Sequence, residues 1–140
     1  MSTADPKTIA RRFLQAWNAG QRDVVNELAA PGFTADYTHF PEPFEGPEAF
    51  KQMLAQTHRY FPDLSIEVHD VVADGNRVLV HWAYRGTFQK GEMFGVEAAG
   101  QSVDVEGMTK YRIEDGQVHS ERGVVDNFGL MMQLGATPEA

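Results

Sequence analysis

The sequence contains no cysteine, few basic residues and no long apolar run. Without cysteine, the chain cannot form disulfides, thiolate metal sites or a cysteine nucleophile. Its 12 lysines and arginines are outnumbered by 20 aspartates and glutamates, giving a formal net charge of -8. This acidity disfavours nucleic acid or an anionic membrane as a partner, because both attract a basic face. No run reaches the length of a membrane span, and residues 1–6 lack the basic and apolar regions of a signal peptide. We therefore expect a cytoplasmic protein that binds neither nucleic acid nor membrane.

The composition that remains is typical of one globular domain. Of the 140 residues, 42% are hydrophobic and 23% are charged, which favours a folded core over disorder. A chain of this length can bury a core and still leave room for a ligand cavity. We interpret residues 1–140 as a single domain without internal repeats or linkers.

Helical spacing dominates the first part of the chain, and period-two alternation dominates the rest. Asp5 is a candidate N-cap, with Pro6 at the first helical position. We expect helices from Pro6 to a stop at residues 18–20, over 22–30, from Pro47 onward and after Asn127. We expect strands at 33–39, 64–72, 77–87, 102–113 and 117–125, and a loop at 91–100. This order predicts an α+β fold, in which helices cover one face of a hairpin-rich antiparallel sheet.

The stretch from Gly123 to Gly135 is the most informative one. A β-branched strand ends on Asp126, and a short, methionine-rich apolar helix follows. A carboxylate beside apolar elements is costly unless donors anchor it or chemistry uses it. Two interpretations are open. In the first, Asp126 has a structural role, either as the cap of the helix or as the partner of Arg122. In the second, Asn127 caps the helix, and Asp126 acts as an acid/base group beside a histidine.

Strand alternation proposes which side chains face inward together. On the last strand, Arg122 and Asp126 share a face, and on its hairpin partner Thr109 and Tyr111 share the more apolar face. The long strand 77–87 has two partly apolar faces, one with Trp82 and the other with His81. Alternation alone does not choose between these two faces.

One histidine and several aromatic residues are further candidates for a pocket. His39 follows Tyr37 on one strand face and leads into a proline-bounded loop, which suits a cavity rim or a satisfied structural histidine. The aromatic residues are core by default, but would also suit the wall of a pocket for a flat ligand. No histidine pair has metal-ligand spacing, so we predict no metal site. A phosphate-binding loop and a serine nucleophile elbow are also missing.

Several short segments recur in an order that is typical of one family. They are residues 12–20, 30–33, 44–50, 61–64, 86–87, 91–96, Gly100, residues 112–116, Glu121, Asp126 and residues 129–135. In this order they resemble the SnoaL-like polyketide cyclases of the NTF2-like superfamily. The resemblance implies a cone-shaped α+β barrel with a deep cavity. In it, a curved antiparallel sheet wraps around the N-terminal helices, a short C-terminal helix follows, and two or four chains assemble as a homodimer or homotetramer.

The resemblance also implies a reaction. Characterised cyclases of this family close a ring of a polyketide ester by an intramolecular aldol step, without metal or cofactor, and use an aspartate at the position matching Asp126 as the acid/base. We therefore expect a small hydrophobic molecule in the cavity, no cofactor, and catalysis by Asp126, His81 and His39. The expected substrate-binding residues are Phe13, Trp17, Tyr37, Trp82, Thr109, Tyr111 and Arg122.

The sequence departs from the family at three polar positions. Family members often carry histidine where this chain has Phe88, tryptophan where it has Arg122, and arginine where it has His81. A guanidinium beside Asp126 would also lower the pKa of that carboxyl. Three alternatives follow for the function: a cofactor-free hydroxylase, an epoxide hydrolase that activates water with Arg122 and Asp126, or a non-catalytic ligand-binding module.

Overall fold

The computed structural model describes residues 5–136, so most of the segment inspected for a signal peptide lies outside the described residues. The helices are α1 (Pro6–Leu14), α2 (Val24–Leu28), α3 (Pro47–Tyr60) and α4 (Asn127–Leu134), and a 3-10 turn (Gln15–Trp17) follows α1. The strands are β1 (Ala29–Tyr37), β2 (Phe44–Glu45), β3 (Ser65–Asp74), β4 (Arg77–Phe88), β5 (Glu92–Met93), β6 (Val96–Glu97), β7 (Gln101–Glu114) and β8 (Gln117–Val125). Within this part of the chain, no helix is long and apolar enough to cross a membrane.

Six strands form one curved sheet in the order β2-β1-β8-β7-β4-β3. Its neighbouring strands run antiparallel, except that β1 and β8 pair in parallel. Helix α1 packs against β3, β4, β7 and β8, while α3 packs against β1 and β2. The predicted α+β architecture, with a curved sheet around N-terminal helices and a short helix at the C-terminus, is confirmed.

Helix α1 supplies the centre of the core because its apolar residues recur at helical spacing. Phe13 is 1% exposed. Its ring lies 5.3 Å from the ring of Phe33 and 5.9 Å from that of Phe50. Burial of such a side chain stabilises the fold by about 1.5–3 kcal/mol. These contacts join the first helix, the first strand and α3 into one core below the open end of the sheet.

The clearest differences from the expected elements lie around β1 and at residues 91–100. β1 ends at Tyr37, so His39, expected on this strand, follows it. The second helix ends at Leu28, and β1 begins at Ala29. The strand can include Pro31 and Gly32 because the register of its pairing with β8 shifts between Ala29 and Thr34, which leaves these two exposed residues outside the regular ladder. The expected loop at 91–100 contains the small hairpin β5–β6. Its turn residues Phe94 and Gly95 have φ of 52 and 77, as a two-residue hairpin turn of the primed type requires.

The structure also decides which faces of the long strands point inward. On β4, the face with Val80 and Trp82 is buried, while His81 belongs to the outer face. On β7, Thr109 and Tyr111 are buried, as predicted for the more apolar face of this strand. The pairing of Tyr111 with Glu121 brings the latter side chain inside with them.

Candidate active site

A cavity of about 510 Å³ lies at the open end of the sheet, between α3, the C-terminal end of β1 and the start of α4. Its wall is mostly apolar and aromatic, which suits a hydrophobic ligand. The lining residues are Trp17, Tyr37, His39, Phe40, Phe44, Met53, Gln56, Thr57, Tyr60, Phe61, Leu64, Tyr84, Met93, Phe94, Val125, Asn127 and Leu130. This lining includes one histidine and no carboxylate, so the wall itself offers no set of metal ligands.

A carboxyl group lies buried next to the cavity wall. Glu121 is only 3% exposed, and the hydroxyl of Tyr37, a wall residue, donates a hydrogen bond to its Oε2. Burial raises the pKa of Glu121 to about 8, although the hydrogen bond from Tyr37 acts in the opposite direction. Within residues 5–136, neither Glu121 Oε1 nor the hydroxyl of Tyr111 has a hydrogen-bond partner. Two buried polar atoms therefore remain able to accept a new partner.

A glycine positions the ring of Tyr37. A Cβ atom on Gly123 would lie 2.3 Å from the Cε1 atom of Tyr37, so any larger residue would displace the ring. The ring of Trp17 meets Tyr37 edge to face at 5.8 Å. Burial, and next the charge of Glu121, raise the pKa of the Tyr37 hydroxyl, which keeps it a neutral donor. The tyrosine thus connects the cavity with the buried acid in a fixed orientation.

A buried histidine anchors the wall on the other side. His58 Nδ1 lies 2.9 Å from the guanidinium of Arg22, and His58 Nε2 lies 2.8 Å from the carbonyl oxygen of Trp17. Because arginine only donates, Nδ1 must accept and Nε2 must carry the proton. Burial and the charge of Arg22 lower the pKa of His58, against the raising effect of the Trp17 carbonyl, which agrees with a neutral ring. This contact holds Trp17 at the cavity.

His39 is an exposed residue on the cavity wall. Its ring lies 4.4 Å from that of Phe40 and 6.0 Å from that of Tyr37. Partial desolvation lowers the pKa of His39, so the imidazole is neutral near neutral pH. A neutral imidazole can both donate and accept a hydrogen bond, which suits contact with a substrate oxygen.

Asp126 is the N-cap of α4. Its Oδ1 accepts a hydrogen bond of 2.9 Å from the backbone N–H of Gly129. A Cβ atom on Gly129 would lie 2.4 Å from Asp126 Oδ2, so the glycine gives the carboxylate room. The interpretation that Asn127 caps the helix and frees Asp126 is therefore wrong, since Asn127 lines the cavity instead. Asp126 itself is exposed. The pKa of Tyr84 on the cavity wall is raised, mainly by the burial of Tyr84 and to a smaller extent by the charge of Asp126.

Two residues expected at the cavity lie on the outer face of the sheet instead. Arg122 is exposed and forms an ion pair with Asp36. The expected partnership of Arg122 with Asp126 is thereby corrected, because Arg122 alternates with the inward Glu121. His81 is also on this outer face, where its Nε2 lies 2.8 Å from Glu106 Oε1.

The remaining predicted residues divide between the wall and the core. Trp17 and Tyr37 line the cavity, as does His39. Phe13, Trp82, Thr109 and Tyr111 are buried but are not among the lining residues. The indole N–H of Trp82 donates to Thr109 Oγ1 at 2.9 Å, which satisfies both groups inside the core.

Glu121 is not among the site residues predicted from the sequence. The Asp115-Gly116 turn fixes Glu114 opposite Gln117, and counting back from it would place Tyr111 opposite Ser120. A register shift next to Ile113 moves the pairing by one residue, so Glu121 faces Tyr111. The sequence holds two weak signals for it: Glu121 is among the positions that carry the family resemblance, and it shares its strand parity with Gly123 and Val125.

Comparison with known proteins assigns the chain to a family. The model of the SnoaL-like polyketide cyclases matches residues 7–134, so the chain belongs to the SnoaL-like polyketide cyclase family. A proposed SnoaL-like polyketide cyclase from Jannaschia sp. CCS1 is 29% identical, with a TM-score of 0.79 over 99% of each chain. IdmH from Streptomyces antibioticus, a proposed polyketide cyclase, is 25% identical, with a TM-score of 0.82 over 95% of this chain and 100% of its own.

A third similar structure carries a different description. AclR from Streptomyces galilaeus, a proposed hydroxylase, is 24% identical, with a TM-score of 0.83 over 98% of this chain and 100% of its own. At this identity the likeness shows the fold alone. No curated protein matches the chain.

Proposed function

We propose that the protein is a cyclase or isomerase that acts on a polyketide-like, hydrophobic carbonyl compound by acid/base chemistry. Membership of the SnoaL-like polyketide cyclase family supports the reaction class, as do the descriptions of IdmH and the Jannaschia protein. The observation that carries the proposal is the pair formed by Tyr37 on the cavity wall and the buried Glu121.

An intramolecular aldol step needs one proton acceptor and, later, one proton donor. The acceptor takes a proton from the carbon next to a carbonyl group. The resulting enolate carbon forms a bond to a second carbonyl carbon of the same molecule, and the new alkoxide oxygen then takes up a proton. Because no proton is gained or lost overall, one carboxyl group can serve both steps.

Glu121 has the proton affinity that this role requires. With a pKa raised to about 8, both its neutral and its ionised forms are populated near physiological pH, where general acid/base catalysis is most effective. Tyr37 carries the proton between substrate and acid. Its oxygen accepts the substrate proton as its own proton passes to Glu121 Oε2, and the reverse transfer protonates the alkoxide.

The cavity suits a flat, apolar substrate with a few oxygen atoms. Its volume of about 510 Å³ falls in the range of small-molecule sites, and its aromatic wall suits a flat, apolar ring system. The polar side chains on this wall, those of His39, Gln56, Thr57 and Asn127, can hydrogen-bond to substrate oxygens and orient the ring to be closed.

Asp126 is the second candidate for the acid/base, because its charge acts on Tyr84 of the cavity wall. Its carboxylate is committed to the helix cap and is exposed, which makes it less suited to proton transfer than Glu121. The epoxide hydrolase alternative loses its water-activating pair, since Arg122 is bound to Asp36.

Proton exchange at a carbon acid tests the proposal without knowledge of the natural substrate. The probe is an aromatic methyl ketone that carries a methyl ester, incubated in deuterated buffer at pH 8 and followed by NMR. We expect the wild-type protein to accelerate exchange next to the ketone, and Glu121→Gln to lose about 10²-fold of that acceleration. Asp126→Asn, the matched control, keeps its rate within a few-fold.

Two other outcomes of the exchange experiment would change the assignment. Loss in Asp126→Asn with retention in Glu121→Gln assigns the acid/base to Asp126. Binding of the probe without acceleration of exchange by the wild-type protein contradicts the catalytic proposal and leaves a ligand-binding module. Thermal melting of both variants checks that each is folded.

A further inference from the structure

Two histidines and a glutamate cluster on the outer face of the sheet, on the side away from α1. The side chains are His69, His81 and Glu106, and one ligand atom from each lies within 4.8 Å of the others. His81 Nε2 is 2.8 Å from Glu106 Oε1. The two imidazole rings are 5.0 Å apart and tilted by 40°. Nothing in the proposed reaction uses these groups.

The fold builds this cluster from three neighbouring strands. His81 on β4 stands between His69 on β3 and Glu106 on β7. In β3, Val68 pairs with Trp82 and Asp70 pairs with His81, so His69 is the extra residue of a bulge. Such a bulge re-aims a side chain, and here it places His69 against the ring of His81. The contact between His81 and Glu106 runs diagonally, because Glu106 is paired with Ala83.

We propose that His69, His81 and Glu106 form a binding site for a divalent cation of the zinc class. This differs from the sequence-based prediction of no metal site, because the three residues lie on three strands and have no ligand spacing along the chain. Two imidazole nitrogens and one carboxylate oxygen are ligands that Zn²⁺ prefers, at about 2.0–2.2 Å, with a fourth position open to water. Two ligands of a tetrahedral ion at these lengths stand roughly 3.4 Å apart. The hydrogen-bonded atoms of His81 and Glu106, now 2.8 Å apart, would therefore separate slightly on binding, and the ring of His69, whose ligand atom lies within 4.8 Å of the other two, would move closer to them.

The surroundings favour a cation at this position. The chain carries a formal net charge of -8, and the exposed Asp70 stands directly opposite His81. The side chains of His81 and Glu106 are 34% and 61% exposed, so an ion can enter without any movement of the core. The nearby guanidinium of Arg85 is held by Asp104 at 3.2 Å and by Glu67 at 3.8 Å.

A bound ion would tie the edge strand β3 to β4 and β7. Binding to the folded state alone raises stability by linkage. At a free ion concentration 100-fold above the dissociation constant, we expect the melting temperature to rise on the order of 5 °C. This shift is independent of the proposed reaction, because the cluster lies on the face of the sheet opposite the cavity.

The test uses the full chain, freed of metal by dialysis against a chelator, with Zn²⁺ alone as the probe. Calorimetric titration should give one ion per chain, together with the rise in melting temperature. His69→Ala and Glu106→Gln should each lose both signals. The matched controls are His39→Ala, which removes an imidazole at the cavity, and Glu67→Gln, which neutralises a carboxylate on the same outer face. Both controls should keep the signals.

Three results would overturn the proposal. They are the absence of saturable binding, binding that survives in His69→Ala and Glu106→Gln, and a stoichiometry of one ion per two chains. The last result would mean that the ion bridges two copies and that the three residues of one chain do not form the site. Circular dichroism of each variant separates loss of the site from loss of the fold.

Discussion

The hydroxyl of Tyr37 donates a hydrogen bond to the carboxyl group of Glu121, 84 residues further along the chain. The parallel pairing of β1 with β8 produces this contact, since Ala35 lies opposite Glu121 and Tyr37 lies opposite Gly123. The pair joins the wall of the cavity to an acid that solvent does not reach. The proposed chemistry depends on this relationship.

Removal of the Tyr37 hydroxyl should raise the pKa of Glu121 further. The hydrogen bond stabilises the ionised carboxyl and so lowers its pKa, while burial raises it to about 8. In Tyr37→Phe only the effect of burial remains. NMR of protein labelled with ¹³C at the glutamate carboxyl measures the midpoint, which should move above that of the wild type. An unchanged midpoint would mean that the hydroxyl does not act on Glu121.

The stability of the protein should fall as the pH rises from about 4.5 to 8 because of Glu121. In this window the folded state holds a proton on Glu121, with a pKa of about 8, whereas the unfolded state, near the ordinary value of 4.5, has released it. Stability decreases with pH wherever the folded state binds more protons. The contribution is fully present below pH 4.5 and amounts to a few kcal/mol, on the order of 1.4 kcal/mol per pH unit.

Glu121→Gln isolates this contribution, because glutamine keeps the shape and does not titrate. The two proteins are compared by urea unfolding between roughly pH 5 and pH 8, which spans most of the interval between the pKa of glutamate in the unfolded chain and the raised pKa of Glu121. The unfolding free energy of the wild type should decline relative to that of the variant. Parallel curves would show that Glu121 has an ordinary pKa.

The cap of α4 can be separated from the charge of Asp126 with two substitutions. Asp126→Ala removes the acceptor of the Gly129 N–H and should cost about 1 kcal/mol of stability. Asp126→Asn keeps an oxygen acceptor, and asparagine is an equally good N-cap, so its unfolding free energy should stay close to that of the wild type. Equal losses in the two variants would instead point to the charge.

Much of the fold follows from local sequence patterns. The hairpin turn at Asp115-Gly116 and the strand that follows it are where alternation and turn chemistry place them. The apolar spacing of α1 likewise gave its buried face. These features depend on residues close together in the chain, so one sequence is enough to predict them.

The candidate site was harder to predict because it depends on distant pairing and on irregularities. The register shift beside Ile113 turns Glu121 inward, and the bulge at His69 builds the outer cluster. Neither irregularity leaves a clear pattern in the sequence. For Asp126, the residues alone left a cap and a catalytic role open, and the family resemblance favoured the catalytic role. The structure shows the cap, while the catalytic role stays a prediction.

In the proposed reaction, Glu121 takes up a proton through Tyr37 and later returns it by the same route. The most direct test is the pH dependence of kcat/KM for exchange of the ketone probe, since this quantity reports the pKa of the free enzyme. For the wild type, the rate should rise with pH to a plateau with a midpoint near 8, the raised pKa of Glu121, and this rise should be missing in Glu121→Gln. A midpoint near the ordinary glutamate value of 4.5, or an unchanged profile in the variant, would show that Glu121 is not the acid/base.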